Sequence, residues 1–200
     1  LTTAGSVAGF GAHFDPSPQR RFEGPIVLYP ELNDYTLCAH FRRAPGSTDL
    51  NIFQALRNDN RFNNPDVGIL WGWSPGGVLF DMRDLAGHVI SVDVPTTDLR
   101  DGLYHDVVVP VVRSANADFY VDGVKENSVN VTAVSGNIET GTGFRQPGVG
   151  AFVTGGFWNY HSVFDLDELT IWYTALSAAQ VATIHALRLA GITLRDYIGF

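Results

Sequence analysis

The sequence predicts an all-β fold, a single sandwich of two antiparallel sheets. About ten short runs alternate apolar and polar residues, and turn-forming residues separate these runs. The chain has 200 residues, of which 45% are hydrophobic and 17% charged, so it has enough apolar side chains for a core. A chain of this length forms one sizeable domain more readily than two, so we expect residues 1–200 to be a single domain.

The predicted strands recur along most of the chain. Successive side chains of a strand point to opposite faces, so a run of alternating polarity has one buried face. The strands are expected at Pro25–Tyr29, Tyr35–Arg42, Asn51–Ala55, Val67–Trp73, Gly77–Met82, His88–Val94, His105–Val112, Asp118–Val121, Val149–Val153 and Asp167–Tyr173. Pro110 cannot donate a backbone hydrogen bond, which predicts that its strand lies at an edge or carries a bulge.

Two local motifs define a turn and a helix. Asp122-Gly123 follows an apolar run, and since both residues tolerate a positive φ, a tight hairpin is expected there. Ser177 followed by Gln180 fits a capping box, in which each side chain bonds the backbone N–H of the other residue. One short helix is therefore predicted from Ser177 up to the residue before Gly191, a residue type that commonly ends helices.

Five segments carry family-like motifs. In order, they are YTLCAHFR at Tyr35–Arg42, NIFQA at Asn51–Ala55, DGLYHDVVV at Asp101–Val109, FYVDG at Phe119–Gly123 and LDELTIWYTALS at Leu166–Ser177. The ordered set resembles the laminin G-like and pentraxin branch of the concanavalin A-like jelly rolls. The third segment is similar to the family's DGxWHHV strand entry, with Tyr104 in the tryptophan position. The resemblance implies a jelly-roll sandwich with one short C-terminal helix.

The resemblance implies less about function than about fold. This fold serves lectins, adhesion modules, accessory domains of sialidases and lyases, and viral receptor-binding domains. The double calcium site of pentraxins uses acidic and amide residues ahead of the closing strand, whereas residues 150–158 contain no carboxylate. The Glu-x-Asp-x-x-Glu strand of enzymes in this superfamily does not occur in the sequence either. We therefore expect no catalytic activity.

Charge and composition exclude several classes of partner. The formal net charge of −8 repels nucleic acids and anionic membrane surfaces. No run of about 18 or more apolar residues occurs, so no membrane insertion is expected. The single cysteine, Cys38, leaves no internal disulfide, and its alternating surroundings predict a buried small hydrophobe. The glycosylation motif Asn130-Val131-Thr132 favours an extracellular or surface-exposed setting.

A glycine-bounded segment is the strongest candidate for a ligand-binding loop. Residues 155–162 read GGFWNYHS, which places Trp158, Asn159, Tyr160 and His161 in succession. Sugars are bound by stacking on aromatic faces together with hydrogen bonds to amide and imidazole groups, and this loop offers both. The alternative is a packed corner loop that covers one end of the sandwich.

Two neighbouring tryptophans raise the same choice between core and ligand contact. Trp71 and Trp73 lie two residues apart, so on a strand they share one face with Ile69. This face is expected to be core, with Trp71 inside it. Trp73 stands next to the turn at 74–77, where a position on the rim of a binding site is expected instead.

The acidic residues near the last strand are the candidates for a metal ion. Asp165, Asp167 and Glu168 form a tight group, and Asp165 together with Asp15 is predicted to hold one calcium ion, because calcium prefers oxygen ligands. Two alternatives stay open: an acid/base pair, and carboxylates that only satisfy neighbouring backbone donors. No two histidines have the spacing of a zinc site, so zinc is not expected.

The function predicted from the sequence is recognition of a glycan or a glycosylated protein, by a lectin-like, adhesion or receptor-binding module of a larger secreted or surface protein. One alternative is a structural or assembly domain that docks another chain. The other is a glycan-degrading hydrolase or lyase that uses the acidic group before the helix. The sequence leaves the oligomeric state open.

Overall fold

The computed structural model describes residues 12–14, 22–23, 32–47, 51–57, 67–74, 77–138, 148–149, 152–154, 157–159 and 164–194. Its strands are β1 Ala12–Phe14, β2 Phe22–Glu23, β3 Tyr35–Arg42, β4 Asn51–Arg57, β5 Val67–Ser74, β6 Gly77–Arg83, β7 Val89–Pro95, β8 Tyr104–Val111, β9 Asn116–Val121, β10 Val124–Asn130, β11 Gly148–Val149, β12 Phe152–Thr154, β13 Phe157–Asn159 and β14 Phe164–Trp172. One helix, α1, spans Ala178–Leu189.

The strands form two antiparallel sheets that face each other. The first sheet has the order β1-β14-β3-β8-β9-β10, and the second has the order β2-β11-β4-β5-β6-β7. Among the described residues, the strands β12 and β13 pair only with each other. The predicted all-β sandwich with two antiparallel sheets and one short helix near the C-terminus is confirmed.

The core lies between the two sheets and contains the predicted apolar faces. Trp71 of β5 is fully buried in it, as the alternation of its strand predicts. Phe80 of the second sheet meets Phe119 of the first edge-to-face, with ring centroids 5.5 Å apart. The hydroxyl of Tyr35 donates to Met82 Sδ at 3.3 Å, which gives this buried phenol a partner within the core.

The helix α1 packs on the outer face of the first sheet. Cys38 and Val108 alternate along β3 and β8 with residues of the central core, so they point away from it. With Val181 and Ile184 of α1 they form a second apolar cluster. Cys38 is 1% exposed there, as expected for a buried small hydrophobe.

The predicted turn and cap are both present. The backbone of Asp122 and Gly123 has φ values of 48° and 77°, which fits the tight hairpin between β9 and β10. The Ser177 hydroxyl accepts a hydrogen bond from the Gln180 backbone N–H, while the Gln180 side chain accepts one from the Ser177 backbone N–H. Gly191 follows the helix with φ +70°, the left-handed conformation that favours glycine at this position.

Some predictions of strand position were wrong. The strand with Pro110 is not at an edge, because β8 lies between β3 and β9, and no register shift marks a bulge in it. The missing N–H is accommodated because the pairing with β9 passes from Val108–Tyr120 to Val111–Ala117 without a bridge at Pro110.

Other strands differ from their predicted bounds or were missed. The predicted strand Val149–Val153 divides into β11 and β12, which belong to different sheets. The edge strand β10 was missed, because its mostly polar residues show no buried face. The predicted strand Pro25–Tyr29 falls outside the described residues.

No helix in the described ranges is both long and apolar enough to cross a membrane.

Candidate functional site

A group of charged side chains lies where α1 meets the first sheet. We call it the Asp106 cluster, and its members are His40, Asp101, His105, Asp106, Asp122, Glu168, His185 and Arg188. Strand alternation places it: His40 lies two residues from Cys38, and Asp106 lies two residues from Val108, so both are on the face that α1 covers.

The carboxylate of Asp106 is the centre of this cluster and is only 2% exposed. Its Oδ1 lies 2.9 Å from His40 Nδ1, and its Oδ2 lies 2.9 Å from His185 Nδ1. A carboxylate only accepts hydrogen bonds, so both facing ring nitrogens carry the hydrogen. Since a buried charge without partners is costly, these two imidazoles help to stabilise Asp106 in this position.

The hairpin turn supplies a second carboxylate to the cluster. Asp122 Oδ1 accepts the backbone N–H of Asp106 at 2.9 Å, and its Oδ2 lies 2.7 Å from His105 Nδ1. The other ring nitrogen of His105 lies 3.1 Å from Asp101 Oδ1. Burial alone would lower the pKa of His105, but the hydrogen bonds and charges of Asp122 and Asp101 outweigh it and raise the pKa above its usual value.

The helix contributes a cation as well as His185. The guanidinium of Arg188 pairs with Glu168, and both side chains are almost completely buried. Arg188 Nε also lies 3.6 Å from Asp106 Oδ1. The cluster thus contains four carboxylates and one guanidinium, which leaves an excess of negative charge when the three imidazoles are neutral.

The thiol of Cys38 lies close to this negative charge. Burial raises its pKa to about 12, with a further increase from Asp106 and a partial offset from Arg188. The thiol is therefore protonated at neutral pH, when it is a poor nucleophile.

A more exposed group lies at the end of the same face. Arg42 Nε donates to Asp165 Oδ2 at 2.8 Å, and the guanidinium carbon of Arg42 lies 5.2 Å from the centroid of the Tyr104 ring. His40 stacks on Tyr104 with centroids 5.0 Å apart. Tyr104 is 42% exposed, which makes it an aromatic side chain that a ligand can reach.

The residues predicted for the binding site lie in different elements. Trp73 belongs to β5 and pairs with Val78, whereas Trp158 and Asn159 belong to β13. The predicted ligand residues Tyr160 and His161 fall outside the described residues.

The predicted calcium ligands were Asp15 and Asp165. Asp15 lies beyond the described residues, and Asp165 is held by Arg42. The acidic group that was the alternative candidate for an acid/base pair is divided. A register shift lies between Leu166 and Glu168, and Glu168 has Arg188 as its partner while Asp165 has Arg42.

The sequence analysis missed Asp106, Asp122 and His185 as a group. They come from a strand, a turn and a helix, so no spacing along the chain connects them. One signal was available: Asp106 stands where the DGxWHHV motif has its second histidine, which puts a charge on a face that a helix covers.

Comparison with known proteins gives a family and a fold. A family model described as Concanavalin A-like lectin/glucanases superfamily matches residues 23–182, which is most of the chain. No curated protein matches the sequence.

Solved structures are similar at low sequence identity. The CBM40 domain of Ruminococcus gnavus IT-sialidase, bound to α2,3-sialyllactose, aligns with a TM-score of 0.67 and 14% identity over 90% of this chain and 97% of that chain. The binding domain of Paraclostridial Mosquitocidal Protein 1 aligns with a TM-score of 0.66 and 14% identity over 92% of this chain and 45% of that chain. The binding domain of botulinum neurotoxin serotype G aligns with a TM-score of 0.64 and 11% identity over 92% of this chain and 46% of that chain. This chain spans just under half the length of the last two, and identities this low show the fold alone.

Proposed function

Because the chain belongs to the Concanavalin A-like lectin/glucanases superfamily over residues 23–182, we propose that it is a non-catalytic carbohydrate-binding module. The family match carries this proposal. It is supported by the CBM40 domain bound to α2,3-sialyllactose, because that neighbour consists almost entirely of the fold shared with this chain. The proposed ligand is a glycan, free or attached to a protein.

We place the ligand contacts in the segment Trp158–His161, with Trp73 as a further contact. An indole and a phenol provide stacking faces, and an amide and an imidazole provide hydrogen bonds, which together match the surface of a sugar ring. Connecting segments on a rigid sandwich are where binding residues concentrate. The pairing of Trp158 with Val153 anchors one end of this segment in a short sheet.

The assignment as non-catalytic rests on the partners of the acidic residues. A glycosidase of the common kind needs one carboxylic acid and one carboxylate on either side of the scissile bond. In the described part of the last strand, Asp165 and Glu168 are each paired with an arginine. Such pairing favours the ionised form of a carboxyl group and works against a general acid.

Three further parts of the proposal follow from the sequence. The module acts outside the cell or on a surface, as part of a larger secreted or surface protein. One calcium ion binds at Asp15 and Asp165. Asp165 then shares its carboxylate between the ion and Arg42. A chelator that prefers calcium should then lower the melting temperature, and added Ca²⁺ should restore it.

A glycan array with the intact chain tests the proposed function. Binding to one class of glycan, competed by the free sugar, is the expected result. Incubation with the same glycans, followed by a reducing-sugar assay and a test for unsaturated products, should show no turnover. Binding with turnover would mean that the chain is an enzyme. An array without binding would contradict the proposal and favour the interaction-domain alternative.

A further inference from the structure

We propose that Asp106, Asp122 and His185 bind one divalent transition-metal ion of the zinc class, which ties α1 to the first sheet. The three residues come from β8, from the hairpin turn after β9 and from α1. This site shares no residue with the proposed carbohydrate contacts and does not depend on them.

The three residues bring one ligand atom each within reach of a single ion. Each offers a ligand atom, and these atoms all lie within 4.8 Å of one another. Asp106 Oδ2 and His185 Nδ1 are 2.9 Å apart. Zinc–ligand distances of about 2.0–2.1 Å in a tetrahedral site correspond to ligand atoms roughly 3.3 Å apart. The ion would replace the hydrogen that these two atoms share, and a neutral His185 would bind it as the tautomer that carries its hydrogen on Nε2, so the ring keeps one proton.

Gly123 has no side chain, which allows the hairpin turn to approach the helix closely enough for this arrangement. A Cβ atom added to Gly123 would lie 3.1 Å from the Cβ atom of His185. The neighbouring Asp122 therefore sits at the point where the turn and the helix are in contact. The burial of Asp106 and the partial burial of the other two residues distinguish the group from exposed acidic side chains.

Two neighbouring histidines, His40 and His105, orient two of the three ligands. His40 Nδ1 holds Asp106 Oδ1, so Oδ2 is the oxygen available to the ion. His105 Nδ1 holds Asp122 Oδ2 at 2.7 Å and the Asp106 backbone N–H donates to Asp122 Oδ1, so the ion would use a second lone pair of one of these oxygens. Hydrogen bonds of this kind to ligating carboxylates are typical of metal sites, where they fix the orientation of the ligands.

The charge and the ligand types favour a zinc-class ion over calcium. Within the cluster the four carboxylates of Asp101, Asp106, Asp122 and Glu168 outnumber the single guanidinium of Arg188, so added positive charge is favourable. An imidazole nitrogen suits Zn²⁺, Co²⁺ and Ni²⁺, while Ca²⁺ and Mg²⁺ prefer oxygen ligands throughout. The absence of any paired-histidine spacing in the sequence does not bear on a site whose ligands come from three separate elements.

Titration of the intact chain with metal tests the proposal. After chelator treatment and desalting, the protein should bind one equivalent of Zn²⁺ by calorimetry, and its melting temperature should rise by several degrees with excess Zn²⁺. Added Mg²⁺ should not reproduce this rise. Co²⁺ should bind at the same stoichiometry and give visible absorption bands. Absence of a zinc-dependent rise in melting temperature would overturn the proposal.

Variants locate the ion. His185→Asn and Asp122→Asn should each weaken Zn²⁺ binding at least 100-fold, while near-ultraviolet circular dichroism checks that the fold is kept. His88→Asn is the matched control, because His88 also pairs with a buried aspartate, Asp84, but away from the cluster. This control should bind Zn²⁺ as the unchanged chain does. Equal binding by all variants would mean that surface histidines hold the metal, which also refutes the site.

Discussion

Phe80 and Phe119 lie on opposed sheets and meet edge-to-face with their ring centroids 5.5 Å apart. Both side chains are fully buried, so this contact joins the two sheets within the core. Aromatic pairs in this orientation add to the stabilisation that comes from burying their area.

The first prediction concerns this contact. Phe119→Ala should lower the free energy of unfolding by about 3–5 kcal/mol, because it removes a large buried side chain and leaves a cavity. Urea denaturation followed by fluorescence measures the change. Leu103→Ala is the control at an exposed position, with an expected change within about 0.5 kcal/mol. A loss of less than about 1 kcal/mol for Phe119→Ala would contradict the packing described here.

The second prediction concerns the ion pair between Arg188 and Glu168. Arg188→Met should destabilise the fold by about 3–5 kcal/mol, because it leaves a buried carboxylate without its cation. The double variant Arg188→Met, Glu168→Gln should recover much of this loss, since it removes both charges. Chemical denaturation of the two single variants and the double variant completes a cycle. If the double variant is as unstable as the two single losses added together, the two residues are not coupled.

The third prediction is a pH dependence that arises at Asp84. Burial alone would raise the pKa of this carboxyl group, but hydrogen bonds from His88 and Gly136 outweigh it and hold the pKa below its usual value. A carboxyl group whose pKa is lowered by folding stabilises the folded state above its unfolded pKa of about 3.9, and this contribution is lost as the pH falls through the folded pKa.

Unfolding measurements between pH 6 and pH 3 test this dependence. The advantage of the unchanged chain over Asp84→Asn should be largest at pH 6 and should shrink as the pH falls below about 4. Asp93→Asn, at an exposed position of β7, is the matched control for an Asp-to-Asn change. A difference between the unchanged chain and Asp84→Asn that stays constant over this range would show that the carboxylate charge does not matter.

The fourth prediction concerns the hairpin turn beneath α1. Gly123 has φ +77°, and a Cβ atom there would lie 3.1 Å from the Cβ atom of His185. Gly123→Ala should therefore cost about 1–2 kcal/mol for the left-handed backbone, plus the cost of moving the helix. Gly46→Ala isolates the backbone cost, because Gly46 has φ +74° and no atom of the described residues lies within 4 Å of the added Cβ. Equal losses in the two variants, measured by thermal unfolding, would refute the close approach of turn and helix.

Much of the fold could be predicted because its signals are local. The alternation of side chains in Tyr35–Arg42 is a signal within a single strand. The bounds predicted from it are those of β3. The Asp122-Gly123 turn and the capping box at Ser177 likewise depend on the φ preferences and side chains of neighbouring residues.

The signals that failed depend on contacts between distant elements. Pro110 lies in a central strand because the missing hydrogen bond falls where β8 has no bridge to β9, which the sequence does not reveal. Asp106 contacts His40 and His185 across 66 and 79 residues of sequence. No motif connects residues at such separations, so the cluster became visible only in the folded chain.

The last prediction tests the proposed carbohydrate contacts. Trp158→Ala should weaken glycan binding by about 1 kcal/mol or more, roughly fivefold in Kd, which is the order expected for an aromatic contact beyond its buried area. Calorimetry or biolayer interferometry with the glycan found on the array measures the change. Circular dichroism and a melting temperature close to that of the unchanged chain should show that the fold is kept.

Tyr104→Ala is the matched control for this experiment, because Tyr104 is an exposed aromatic residue on the outer face of the first sheet. We expect its removal to leave glycan binding unchanged. If binding instead survives the combined change of Trp158, Tyr160 and Trp73 to alanine but is lost in Tyr104→Ala, the glycan binds beside Arg42 and His40. The binding surface would then be the sheet face next to α1, and the assignment of the segment Trp158–His161 would be wrong.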